Sequence, residues 1–181
     1  MRHVALLRGV NNIGMATRVS MADLRFLFED LGFHEVQTVL NSGNIIFSAR
    51  GTRRVGVRAL IENGLARKLG FTSTVVVLSG SEVITAVRDN PLASVASDPS
   101  RLLVVVPKQA RDRERLRPLL AKTWAPEMLA IGRRVAYVWC ANGVGESQLW
   151  PAVDHSLSRS CTTRNFGTMK KLMVLVKGGA K

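Results

Sequence analysis

The first 79 residues alternate between two hydrophobic periods in an order that few folds accommodate. Val4 to Leu7 is a short apolar run closed by Arg8 and Gly9, which predicts a strand. A polar loop from Asn11 to Arg18, with Gly14 inside it, separates that strand from the next element. Ser20-Met21-Ala22-Asp23 then carries capping-box spacing, a hydroxyl at the cap and an acid three residues on. Met21, Leu24, Leu27, Phe28 and Leu31 share one helical face, and Gly32 stops the helix. Val36 to Leu40 and Asn44 to Ser48 read as strands joined through the hairpin signal Asn41-Ser42-Gly43. Val57, Ile61, Leu65 and Leu69 place a second helix from about Val55, ended by Gly70. The β-branched run Thr72 to Leu78 completes β-α-β-β-α-β, the split unit of ferredoxin-like folds.

The second half repeats the order without repeating the residues. A short helix from Ser81 to Asp89 ends at Asn90-Pro91, and a stretch rich in Ala, Ser, Asp and Pro to Arg101 reads as a linker. Leu102 to Val106 predicts a strand and Arg111 to Lys122 a charged helix. Further strands are expected at Met128 to Ile131 and Val135 to Cys140, a helix from Glu146 to His155, and a last helix from Arg164 to Lys177. The expected class is α+β: two ferredoxin-like halves with mainly antiparallel sheets, residues 1–79 and 102–181, packed together and joined by the helix and linker of 80–101. Halves of this size are marginal alone, which favours their packing together.

Charge narrows the partners. There are 26 basic and 13 acidic residues, a net charge of +13. Genomic codon bias can explain an excess of Arg over Lys, but not a shortage of Asp and Glu. A field this positive attracts polyanions. No apolar run approaches the ~18 residues of a membrane span, and the apolar run before Arg8 is too short for a secretory signal. Cys140 and Cys161, with no metal-ligand spacing, read as reduced thiols of a cytoplasmic protein.

Five signatures carry a resemblance: Ala5-Leu6-Leu7-Arg8-Gly9-Val10-Asn11, Met21-Ala22-Asp23-Leu24, the Ser42-Gly43-Asn44 turn, Asn90-Pro91, and Thr162-Thr163-Arg164-Asn165. Together they resemble the bacterial family of unknown function DUF1697. The resemblance implies two ferredoxin-like halves and supplies no reaction. The chain departs from the family's pattern at Ile13, where a second glycine is usual, and at Phe166, where a Trp is usual.

Two regions are candidates for holding an anion. In the split unit the first strand ends on the rim that carries the turn between strands two and three. Arg8 and Asn11 are therefore expected beside Ser42 and Asn44, a guanidinium among amides that suits a carboxylate or phosphate. The same groups would serve equally to pin two loops together. The second region is Thr162, Thr163, Arg164 and Asn165, expected at the N-terminus of the last helix. There an Arg opposes the helix dipole unless an anion or a buried carboxylate faces it. Residues 155–181 contain no acid, so Arg164, Lys170, Lys171 and Lys177 form the candidate nucleic-acid surface.

Other chemistries fare worse. The loop Gly9 to Thr17 has P-loop glycine spacing, but Met15 stands where the phosphate-binding Lys belongs. His3, His34 and His155 are isolated, so no metal is expected, and no cofactor. Tyr137 and Trp139 share a strand face that would stack bases if exposed and serve as core if buried. The leading expectation is a non-catalytic module binding nucleic acid or another anion. The alternatives are an enzyme or receptor for a small phosphorylated or carboxylated metabolite, and a homodimeric protein-interaction domain.

Overall fold

The structure, a computed structural model, describes residues 2–11, 18–49 and 54–178. Residues 12–17, which include Gly14 and Met15 of the glycine-spaced loop, lie outside it. The chain forms two compact units, residues 1–81 with 174–181, and residues 82–173.

In the first unit, β1 (Arg2–Leu7), β2 (His34–Val39), β3 (Asn44–Ser48) and β4 (Val75–Ser79) form an antiparallel sheet in the order β2-β3-β1-β4. Helices α1 (Met21–Asp30) and α2 (Arg54–Lys68) provide the two crossovers. Ser20 caps α1 as its spacing predicts, its hydroxyl accepting from the Asp23 N–H at 2.9 Å. Leu24, Leu27 and Phe28 of α1 join Val57, Ile61 and Leu65 of α2 over Ala5, Leu7, Ile45 and Phe47 of the sheet. Gly64, in the interior of α2, has a packing reason. A Cβ there would stand 3.1 Å from both Leu27 and Leu31, so its absence lets the helices approach. Arg2 Nη1 donates to the Leu175 carbonyl, satisfying an orphan acceptor near the end of a later helix.

The second unit repeats this topology. A helix, α3 (Gly80–Arg88), precedes β5 (Leu102–Pro107), α4 (Arg117–Leu120), β6 (Met128–Ile131), β7 (Ala136–Trp139), α5 (Leu149–Ser156) and β8 (Cys161–Asn165). The sheet order β6-β7-β5-β8 is that of the first sheet, with β5 in the place of β1. The helix α6 (Phe166–Gly178) ends the described chain. Leu103, Val105, Ala136 and Val138 pack with Leu116, Leu149 and Val153 as the core.

Two expectations need correction here. The charged segment after β5 is not one α-helix: Ala110–Leu116 is a 3-10 helix and only the four residues of α4 are α-helical. Pro118 is the cause. It has no N–H and would clash with the carbonyl four residues back, so an α-helix can begin around it but not run through it. Thr162, Thr163 and Arg164 do not open a helix either. They lie in β8, paired antiparallel to β5 with Val104 opposite Arg164 and Val106 opposite Thr162. Two β-branched threonines fit a pleated sheet, and β5 supplies the free edge that outweighs their polarity. The helix starts two residues after Arg164.

Candidate anion-binding surfaces

The rim of the first unit forms as its topology requires. The Leu7 N–H donates to the Gly43 carbonyl at 2.9 Å, and Leu6 stands opposite Asn44 across the β1–β3 ladder. Gly43 adopts φ +68, and a Cβ there would lie 2.9 Å from the Leu7 Cβ, so this turn needs glycine on both counts. Arg8, Asn11, Ser42 and Asn44 thus meet on one rim.

Two of its amides face inward, however. Asn44 is fully buried, and its Nδ2 donates to the Val39 carbonyl and the Ser42 hydroxyl. Asn11, left-handed at φ +54, donates from Nδ2 to the Val19 carbonyl at 2.7 Å and accepts the Val19 N–H on Oδ1 at 2.9 Å. The backbone of Arg8 is tied to the start of β4, through the Thr74 carbonyl and the Ser73 hydroxyl. Beside Asn11 opens a shallow cleft of about 640 Å³ lined by Arg18, Ser20, Met21, Asp23, Asn41 and Leu69. Pattern reading missed these residues, because they bear on helix capping and turn formation before they bear on a surface.

The second region divides between two elements. Arg164 is buried on β8, where Nη1 donates to the Thr162 hydroxyl at 2.8 Å and the Thr163 carbonyl at 2.6 Å. Burial pulls its pKa down to about 10, still well above neutrality, so the guanidinium keeps its charge. Asn165, exposed at the end of β8, caps α6 by accepting the Thr168 N–H at 2.8 Å. The α6 N-terminus is thereby served from within the chain.

The lysines of α6 face the other way. Met169, Leu172 and Val176 are buried, whereas Lys170, Lys171 and Lys177 are exposed around Val174, itself 62% accessible. The Lys170 ammonium sits 5.7 Å from the centre of the Phe166 ring, a cation–π contact. Arg164, turned inward, takes no part in this exposed face. Tyr137 and Trp139 are buried too, the Tyr137 hydroxyl donating to the Ala86 carbonyl at 2.8 Å, so they are core and not a stacking surface.

Among the described residues no three His, Cys, Asp or Glu side chains gather as a metal site would require, and no helix is long and apolar enough to cross a membrane. Cys140 and Cys161 are buried and not joined in a disulfide, and the Cys161 thiol donates to Asp154 Oδ1 at 3.4 Å. Burial raises the Cys140 thiol pKa, a hydrogen bond with Ser147 opposes the rise, and the charge of Glu127 adds to it.

The sequence profile described as "Protein of unknown function (DUF1697)" matches residues 1–137. The chain belongs to the DUF1697 family. The matched residues include four of the five DUF1697 signatures and stop short of Thr162 to Asn165. No curated protein matches the chain. Among solved structures it is similar to the conserved bacterial protein SP0830 from Streptococcus pneumoniae, with a TM-score of 0.78 and 22% identity over 97% of this chain and 98% of that one. At that identity the likeness concerns the fold, and the paired ferredoxin-like topology of this DUF1697 chain agrees with it.

Proposed function

We propose that this DUF1697 protein is a non-catalytic module that binds polyanions, nucleic acid first among them, through the exposed face of α6. The observation that carries the reading is that face itself. Three lysines are exposed on a helix whose opposite side is anchored in the core, and no acid occurs anywhere from residue 155 to 181. Lysines on a fixed helix face need no backbone ordering to meet a phosphate, and their field is not neutralised by carboxylates along the helix. Binding would draw its energy from counterions released by the polyanion.

The test is fluorescence anisotropy of labelled DNA and RNA with the wild type and a K170Q/K171Q/K177Q variant. The reading expects the variant to bind at least about tenfold more weakly at low salt. Unchanged affinity in a folded variant would contradict it.

A second reading rests on the cleft beside Asn11. Its size is within the about 300–1,000 Å³ of small-molecule sites. Arg18 would meet a carboxylate or phosphate there, with Asn41 as a further polar contact and Leu69 as an apolar wall. Thermal stabilisation of the wild type by a phosphorylated or carboxylated metabolite, lost in Arg18→Gln, is the outcome it expects. No stabilisation across a broad panel of both classes would count against it.

A further inference from the structure

Resting on the nucleic-acid reading of α6, we infer that the form bound is a duplex, gripped by its phosphates and without preference for base sequence. Sequence-tolerant single-strand binding depends on aromatic side chains on which successive bases stack. This chain has ten aromatic residues, all among those described. Phe28, Phe33, Phe47, Tyr137 and Trp139 are buried. Phe71, Trp124 and Trp150 pack against the two cores, and Phe166 lies under the Lys170 ammonium. Phe26, 70% accessible on α1, is the one exposed ring, and one ring is not a platform.

The sheets offer no alternative. RNA-binding units of this topology present bases to an open sheet face. Here β4, β5 and β7 are buried at every position and β1 at every position after Arg2, so neither face of those strands is open.

What α6 does present cannot read bases well. Its exposed positions are Lys170, Lys171, Val174, Lys177 and Gly178. Lysine can reach guanine O6 and N7, but no Arg, Asn, Gln, Asp or Glu is present to fix a base edge with paired bonds or to tell the other bases apart. A lysine ammonium is a point charge that a phosphate oxygen satisfies from any direction. From Lys170 to Lys177 the row spans about 10 Å of helix axis. A duplex presents a rigid phosphate lattice at twice the charge density of one strand, whereas a flexible strand must be ordered against the row without stacking to compensate.

The experiment is an anisotropy competition with short duplexes of two unrelated sequences, their separated strands, and phosphatidylglycerol vesicles, repeated with K170Q/K171Q/K177Q. The inference expects the two duplexes to compete equally within about twofold, the single strands about tenfold more weakly, and the variant to lose the duplex preference. Single strands competing as well as duplexes, or one sequence favoured by more than about tenfold, would overturn the inference and leave the nucleic-acid reading standing. Vesicles competing where nucleic acid does not would overturn both, as would the absence of salt-sensitive binding to any probe.

Discussion

The side chain of Asn11 holds the peptide of Val19 at both ends, donating to its carbonyl at 2.7 Å and accepting its N–H at 2.9 Å. The contact mimics one rung of a β-ladder and closes the loop between β1 and α1. A family signature that reads as ligand chemistry is thus engaged in fixing the backbone.

Replacing Asn11 separates two contributions. Asn11→Ala removes both hydrogen bonds, about 1 kcal/mol each, and puts a Cβ residue with no polar group at φ +54. The expected loss in urea unfolding is about 2–3 kcal/mol. Asn11→Gly keeps the backbone freedom and should lose about 1 kcal/mol less. Two variants as stable as the wild type would mean that the clamp contributes nothing.

Arg164 makes stability depend on pH in the alkaline range. Its folded pKa, about 10, lies well below that of a free guanidinium because burial disfavours the charge. The unfolded chain therefore holds this proton more tightly than the folded one. The destabilisation is fully present below pH 10 and is relieved as pH rises beyond about 10. Denaturant melts of the wild type and Arg164→Met across that range should show the wild type gaining on the variant. The opposite drift would contradict the assignment.

Glu127 caps a helix to which it does not belong. Its Oε2 accepts the N–H groups of Gln148 and Leu149, at 3.0 and 3.1 Å, where α5 begins, while the Ser147 hydroxyl takes the Trp150 N–H at 2.9 Å. Glu127→Ala should cost about 1–2 kcal/mol, while Glu127→Gln, which keeps an acceptor oxygen, should cost less than half of that. Chemical denaturation of the three proteins checks the ranking.

The Cys140 thiol, raised by burial, is poorly reactive in the folded chain. A disulfide reagent at neutral pH should label it only as fast as the protein opens, and Cys140→Ser should leave the accelerated reaction in denaturant to Cys161 alone. Rapid labelling of the native wild type at Cys140 would contradict the buried assignment.

How much of this was legible in the sequence depends on how local the deciding interaction is. The Ser20 cap, the Gly32 and Gly70 stops and the Gly43 turn are written in neighbouring residues, and each forms as read. The convergence of β1 with the β2–β3 turn follows from topology, and the Leu7–Gly43 hydrogen bond realises it. β8 escaped notice because its sequence, Cys-Thr-Thr-Arg-Asn, lacks the apolar alternation of a strand, and only the distant edge of β5 makes it one. The role of Arg164 changed with it. Two residues of offset turned an apparent helix-terminal cation into a buried strand residue. The lysines of α6 were legible because a 3.6-residue period assigns the exposed face once the apolar one is known.

The most direct test of the polyanion reading is the dependence of binding on salt. Each phosphate neutralised on a duplex contributes a slope of about −0.9 to log K against log salt concentration. The account predicts a clearly negative slope for the wild type, reduced by up to about 2.7 in K170Q/K171Q/K177Q, and unchanged in Arg164→Met, whose lost charge is buried. A slope indifferent to the three lysines, or altered by Arg164 as strongly as by them, would contradict it.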